Sequence, residues 1–310
     1  MLFNIRGMNF SKIQKIKNPF PASQAELYIK REDLLHPFVS GNKCRKLKYN
    51  LLEAEKTQKE TIVTFGGAFS NHIAATAAAC QERDLKSIGI IRGEELAENI
   101  EQTLAGNPTL RFAQQCGMQF KFISRTVYRE KNNTSFINEL ESEFPNSFIV
   151  PEGGTNDLAV KGCEEILTAE DEQFDIICSP VGTGGTISGL INASKKHQKI
   201  LGFPALKGDF LQKEIDKFAK KNNYELILDY HFGGYAKVNV ELIEFINKFN
   251  EENNIPLDPI YTGKMVFGIF DLLKKGKFNN KKVLMIHTGG LQGIEGMNLQ
   301  LAKKKLPLIK

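Results

Sequence analysis

FDIICSPVGTGGTISGLINA, residues 174–193, runs from an apolar segment through a glycine-rich turn into a second apolar segment of different period. Asp175 to Cys178 reads as an apolar strand. Gly182, Gly184 and Gly185 let the backbone curl closely, and from Thr186 onward Ile187, Leu190 and Ile191 recur at helical spacing. Strand, glycine-rich loop and helix make the building unit of open α/β folds, and ligands gather where such loops lead into helix N-termini with free N–H groups. This loop offers several N–H groups and the hydroxyls of Thr183 and Thr186 to one phosphate. No Gly-Lys-Ser/Thr follows it, so it is not a Walker loop, and Ile187 stands where a dinucleotide fingerprint needs its third glycine. A single phosphate monoester fits better than either; the plainer alternative is a glycine-rich turn without a ligand.

Outward from this unit the chain alternates short β-branched or aromatic runs with longer amphipathic ones, the pattern of βα units around a largely parallel sheet. Strands are expected at Leu27–Lys30, Thr61–Phe65, Ser87–Ile91, Gln119–Ile123, Phe148–Pro151, Asp175–Cys178, Ile200–Phe203, Leu226–Asp229 and Lys282–His287. Helices are expected between most of them, for example at Asn42–Thr57, Ser70–Glu82, Leu158–Ala169, Gly185–His197, Val240–Glu252, Lys264–Lys275 and Gln292–Lys303. There is no internal repeat, heptad array or low-complexity linker. At 310 residues the chain can bury a sizeable core, in one compact α/β body or in two lobes that pass the chain between them.

Two further segments share the strand, glycine turn and helix order. In TIVTFGGAFSNHIAATAAAC, residues 61–80, Gly66 and Gly67 precede Ser70, Asn71 and His72 at the head of an alanine-rich helix that can pack very closely. Ser70 or Asn71 can serve simply as an N-cap; the same helix start is also a seat for a carboxylate and for polar atoms of a ring. In MIHTGGLQG, residues 285–293, Thr288, Gly289 and Gly290 follow a strand, a common turn that says little alone.

SGNKCRKL, residues 40–47, places Lys43 in the first turn of a helix whose core stripe is Cys44, Leu47, Leu51 and Ala54. The dipole is positive there, which disfavours a protonated amine and helps the neutral form that Schiff-base chemistry needs. Most helix lysines are simply solvated, and Lys46 and Lys48 read as such, with Arg45 an ion-pair partner for Glu32 or Asp33. A phosphate cradle, a carboxylate-type helix start and an imine-competent lysine together describe the needs of pyridoxal phosphate and an amino-acid substrate.

Composition narrows the function classes. The net charge of +5, from 41 basic and 36 acidic residues, is spread too evenly for nucleic-acid binding, and Lys303–Lys305 reads as a solvated end. Five cysteines (Cys44, Cys80, Cys116, Cys163, Cys178) without a Cys-x-x-Cys pair or a histidine at metal-ligand spacing point to reduced thiols in a cytoplasmic protein and to no structural metal. MLFNIRGMNFSKIQKIKN lacks a continuous apolar core of signal-peptide type, and no apolar run is long enough to span a bilayer.

KREDLLHPFVSGNKCRKLKYNLLEA (30–54), GGAFSNH (66–72), DPIYTGKM (258–265) and IHTGG (286–290) resemble, in the same order, the pyridoxal-phosphate family of 1-aminocyclopropane-1-carboxylate (ACC) deaminase and D-cysteine desulfhydrase, of the tryptophan-synthase-β-like fold. The resemblance implies that Lys43 forms the imine with the cofactor and that Asn71 meets the cofactor's 3-hydroxyl. It implies that Ser70, with the adjacent backbone, Asn71 and His72, receives the substrate, and that Gly182, Thr183, Gly184, Gly185 and Thr186 hold the phosphate. Tyr261, with Tyr235 of HFGGYAKVN, matches a pair of tyrosines beside the imine. Thr262 stands where typical ACC deaminases place a glutamate facing the pyridine nitrogen, and Thr288 where they tend to have leucine. A threonine that donates to a neutral nitrogen makes a weaker electron sink, sufficient when Cα carries a removable proton and Cβ a good leaving group. The phosphate loop is closer to that of cysteine synthases than to either branch, and IAAT after His72 lacks the Arg-Gln common in desulfhydrases.

The expectation is an α/β protein of two open, twisted, mostly parallel sheet domains with flanking helices. Residues 1–44 and 151–310 would form the larger lobe and 45–150 a smaller inserted one, with the cofactor between them. The expected activity is a pyridoxal-phosphate lyase or deaminase eliminating the β-substituent of a small amino acid, as D-cysteine desulfhydrase does. ACC deamination is the alternative, and a non-catalytic binder of a phosphate ligand is the alternative of another class. A homodimer is implied by the resemblance alone.

Overall fold

The computed structural model describes residues 11–208 and 210–310, so the first ten residues of the expected larger lobe, with most of the segment read for a signal peptide, lie outside the described residues. Two sheets organise the rest. The six-stranded sheet has the order β1 (Ile13–Ile16), β2 (Glu26–Lys30), β10 (Lys282–Ile286), β7 (Ile176–Val181), β8 (Lys199–Pro204) and β9 (Tyr224–Leu226). Every pair in it is parallel except β1 with β2. The four-stranded sheet has the order β5 (Gln119–Ile123), β4 (Lys86–Arg92), β3 (Thr61–Gly67) and β6 (Ser147–Val150), all parallel. The parallel α/β expectation therefore holds.

Apolar residues on both faces of the central strands explain why both sheets are covered on both sides. In β7 all six residues are buried: Ile176 and Cys178 join one core with Leu27, Ile29 and Met285, while Ile177 and Val181 join another with Leu190, Ile200 and Leu284. Around the smaller sheet, Ile62 and Ile91 pack against the alanine-rich helix Asn71–Gln81, and Val63, Phe65 and Ile90 pack on the opposite face with Leu140. Each fully buried Leu or Ile contributes about 1.5–3 kcal/mol. Small residues let backbones approach: a Cβ on Gly162, in the helix Asp157–Glu164, would stand 1.9 Å from the Arg45 carbonyl oxygen of the helix Asn42–Lys56.

Some boundaries differ from expectation, each for a local reason. The helix expected to reach Ala169 stops at Glu164, and Ala169–Gln173 forms a separate 3-10 turn closed by a Thr168/Asp171 capping box. The helix expected to reach His197 ends at Ala193, where Ser194 turns to ψ 153°. The strand expected at Leu226–Asp229 lies at Tyr224–Leu226, and Leu228–Tyr230 is a 3-10 turn. Strand β1 was not expected, because IQKI has too little apolar content to stand out; it is fixed by pairing Ile13 with Lys30 and Ile16 with Leu27. Helices at Ile100–Gly106, Pro108–Gln115, Arg125–Arg129 and Thr134–Glu143 stand between expected strands, where helices are expected without stated bounds; Asn107 caps the second, accepting from the Leu110 N–H at 3.0 Å, with Pro108 in its first turn.

Candidate active site

The glycine turns foreseen in the sequence meet at their strands' C-terminal ends. Gly41, φ +62°, precedes the lysine helix, and a Cβ there would fall 1.9 Å from the Thr288 carbonyl oxygen, so the Lys43 turn lies directly on the Thr288–Gly290 turn. The same carbonyl accepts the Asn42 N–H at 3.2 Å. A Cβ on Gly290 would meet Asn71 Nδ2 at 2.9 Å and Asp258 Cγ at 3.3 Å; one on Gly182 would meet the Tyr261 ring at 3.2 Å. Five segments far apart in sequence thus enclose one site.

Lys43 Nζ donates to Asn42 Oδ1 at 3.1 Å, and Asn42 Nδ2 donates to Thr186 Oγ1 at 2.8 Å, linking the lysine to the phosphate loop. Burial pushes the Lys43 amine down to about 7; the charge on Lys46 lowers it further, while Cys163 and Asp258 oppose. The neutral amine expected from the helix dipole is therefore produced mainly by burial and a second lysine.

That second lysine corrects the sequence reading, which had Lys46 solvated. Lys46 is 2% exposed, and its Nζ donates to Gly153 O at 2.9 Å, Thr155 Oγ1 at 2.9 Å and Thr183 Oγ1 at 3.2 Å. Burial lowers it to about 8. A Cβ on Gly185 would reach within 3.3 Å of this amine, so the loop that was read as a phosphate cradle has a cation at its mouth. Lys48 is not free either: it pairs with Glu165 at 2.6 Å. Arg45 grips Glu32 through Nε at 2.8 Å and Nη2 at 2.9 Å, and Asp33 goes to Arg31 instead.

Ser70 caps the helix Asn71–Gln81, accepting from the His72 and Ile73 N–H groups. Asn71 Oδ1 is buried without a hydrogen-bond partner among the described residues. His72 is 1% exposed, its ring packed beneath the helix start. The Thr64 hydroxyl donates to Val150 O at 2.9 Å, so its oxygen accepts from His72 Nε2 at 2.8 Å. The proton therefore sits on Nε2 and leaves Nδ1 a bare acceptor, likewise buried without a partner. Burial, then the charges of Lys43 and Lys46, hold this imidazole well below its ordinary pKa, so it is neutral.

Tyr235 and Tyr261 meet edge to face, centroids 6.2 Å apart. Burial raises both phenols, Tyr261 well above the usual range, so both keep their protons at neutral pH. Thr262 is fully buried; its hydroxyl donates to Asp258 Oδ1 at 2.6 Å and accepts the Asp258 N–H at 3.1 Å. Asp258, overlooked in the sequence, also receives the N–H groups of Ile260, Tyr261 and Thr262 at 2.8–2.9 Å and so closes the turn that starts the helix Thr262–Lys274. The proton that Thr262 was expected to give a ring nitrogen is thus committed to Asp258, and a group meeting this oxygen must bring its own hydrogen. Thr288 is 8% exposed, on the turn against Gly41.

Residues 8–289 match the family described as pyridoxal-phosphate dependent enzyme. The chain belongs to that family. It is 32% identical over 295 residues to the mitochondrial bifunctional D-cysteine desulfhydrase/1-aminocyclopropane-1-carboxylate deaminase of Arabidopsis thaliana, covering 87% of this chain and 73% of that one. It is 26% identical over 290 residues to the D-cysteine desulfhydrase of Serratia proteamaculans, covering 86% of each. The crystal structure of an ACC deaminase homologue superimposes with a TM-score of 0.80 at 28% identity, covering 96% of this chain and 93% of that one.

The residues of this pyridoxal-phosphate-dependent enzyme fit its cofactor. A neutral lysine is present for the aldehyde, and the loop of Gly182, Gly184 (φ +87°) and Gly185 carries no side chains, a Cβ on these residues meeting Tyr261, Ile215 or Thr155 at 2.9–3.3 Å, so its backbone can approach a ligand closely. Lys46 lies there to meet a dianion, and the orphaned Asn71 Oδ1 and His72 Nδ1 are acceptors awaiting donors. Lys46 stands three residues after Lys43, on the same helix face, and that spacing was the available sign of its role.

Proposed function

We propose that this enzyme is a lyase or deaminase that eliminates the β-substituent of a small amino acid, taking D-cysteine and water to pyruvate, ammonia and hydrogen sulfide. The observation that carries the reading is Lys43, an amine lowered to about 7 beside two protonated tyrosines and a capped helix start. The bound cofactor supplies an electron sink conjugated with the substrate's Cα. In this reading Lys43 holds the aldehyde and then takes the Cα proton, for which a neutral amine near pH 7 is well matched. Ser70, Asn71 and the adjacent N–H groups receive the substrate carboxylate, and His72 supports that helix start from beneath. Tyr261 and Tyr235 hold protons for the leaving group. Gly182, Thr183, Gly184, Gly185 and Thr186, with Lys46, grip the phosphate, and Thr262 and Thr288 border the ring. Residues 1–44 with 151–310 and residues 45–150 form the two lobes of this reading, a division supported by the two sheets. Five buried free thiols suit a cytoplasmic setting. A homodimer rests on the family resemblance.

ACC deamination is the second reading, and one observation favours it. Because Thr262 gives its proton to Asp258, its oxygen can accept from a protonated ring nitrogen, the stronger sink that ring opening requires. Assaying the 2-oxo acid released from D-cysteine and from ACC separates the two. Turnover of D-cysteine is expected to exceed that of ACC; activity on ACC alone would overturn the order.

A further inference from the structure

Arg92 ends β4 and lies directly opposite Gly67, the second glycine of the turn that leads to Ser70. Its Nη2 lies 3.4 Å from where a Gly67 Cβ would be, so the guanidinium lies beside the turn that leads to Ser70. From below it is held by the ring of Tyr128, 5.7 Å from Cζ to the centroid. Tyr128 donates to Glu152 Oε1 at 2.7 Å, and Lys131 pairs with Glu152 at 3.4 Å, so the nearby carboxylate is already engaged. Arg31, Arg45, Arg83, Arg111 and Arg125 each pair with a carboxylate. Arg92 and Arg129 have none within ion-pair distance among the described residues, and of the two Arg92 is the one beside the glycine turn. It is nevertheless within electrostatic reach of the site: its charge pulls the Tyr235 phenol down, while Glu152 raises both Tyr235 and Tyr261.

An exposed guanidinium stacked on Tyr128, with no carboxylate partner and beside the turn that leads to the substrate's helix start, can receive an anion. We propose that Arg92 binds a second anionic group on the substrate, so that this enzyme favours amino acids whose β-substituent is an acidic leaving group, such as a sulfonate or a phosphate ester. The proposal rests on the β-elimination reading. In turnover the Cα–H and Cβ–X bonds break, the acidic group leaves with the bonding pair, Lys43 takes the proton, and water releases the 2-oxo acid and ammonia.

Binding tests this without turnover. Cofactor-loaded protein is titrated with alanine and with aspartate, each as both enantiomers, and the change in the cofactor's absorption gives Kd. Aspartate offers the additional carboxylate and no ready leaving group. The enzyme should bind aspartate about tenfold or more tightly than alanine, the range of one charge-assisted contact at a partly exposed site. Arg92→Met should abolish that preference while leaving alanine affinity within about twofold, and Arg92→Lys should restore part of it. No preference for aspartate in the unaltered enzyme, or equal weakening of both ligands in Arg92→Met, would overturn the proposal. Failure to process D-cysteine or ACC would count against the proposed reaction and leave this comparison intact.

Discussion

Lys43→Ala is expected to yield a folded protein that holds pyridoxal phosphate weakly, shows no absorption band that borohydride removes, and loses about a thousandfold or more in kcat. Folding should survive because the residue keeps some exposure and its one side-chain hydrogen bond among the described residues is to its neighbour Asn42. An ordinary lysine at pH 7.5 is neutral in roughly one molecule in a thousand. Lys43, lowered to about 7, is neutral in roughly three of four. Cofactor capture should therefore be fast above pH 7 and slow steadily below it. Stability carries the same information with a definite sign. The folded pKa lies below the unfolded value of 10.5, so between about 7 and 10.5 the unfolded chain binds the additional proton and stability rises with pH. Below that window both states are protonated and the slope vanishes. Urea unfolding of cofactor-free protein at pH 7 and pH 9 should show the rise, and Lys43→Ala should reduce it; what remains comes from Lys46 and Lys264, each lowered to about 8. An unchanged pH slope in the variant would contradict the assignment.

Lys46→Met should weaken pyridoxal phosphate binding by about ten- to a hundredfold, the magnitude of one charge-assisted hydrogen bond to a phosphate. Methionine keeps the apolar stem, so the loss reports on the amine that contacts Gly153, Thr155 and Thr183. A second effect goes the other way in pH. Removing a neighbouring positive charge lets Lys43 hold its proton more readily, so the midpoint for cofactor capture moves up from about 7. Fluorescence titration gives the affinity and stopped-flow absorbance gives the midpoint. Unchanged affinity together with an unchanged midpoint would remove Lys46 from the phosphate site.

Particular residues show what could be read from the sequence and what could not. The glycine turns at 66, 182 and 289 were visible because strand, small residues and helix follow one another locally, and the structure builds all of them at strand ends. The core stripe Cys44, Leu47, Leu51 and Ala54 was visible for the same reason, since helical spacing is local. Lys46 was misread because its partners lie 107 and 137 residues away, and its one local sign, the three-residue spacing from Lys43, does not by itself distinguish an amine folded into a polar cage from one in water. Asp258 was overlooked because its acceptor role depends on the tight turn made by the residues that follow it. The direction of the Thr262 hydrogen bond was misjudged because a hydroxyl both donates and accepts, and only its surroundings decide which. His72 reads as a substrate contact at a helix start, but Thr64 draws its ring beneath the surface.

The central claim is that Lys43 is the reactive amine, and the enzyme contains two rivals of similar character. Lys46 and Lys264 are each 2% exposed and each lowered to about 8 by burial. Reducing the pyridoxal-phosphate-loaded enzyme with borohydride and mapping the modified peptide distinguishes them. One pyridoxyl group on Lys43 is the predicted result; the label on Lys46 or Lys264, or no label at all, would contradict it.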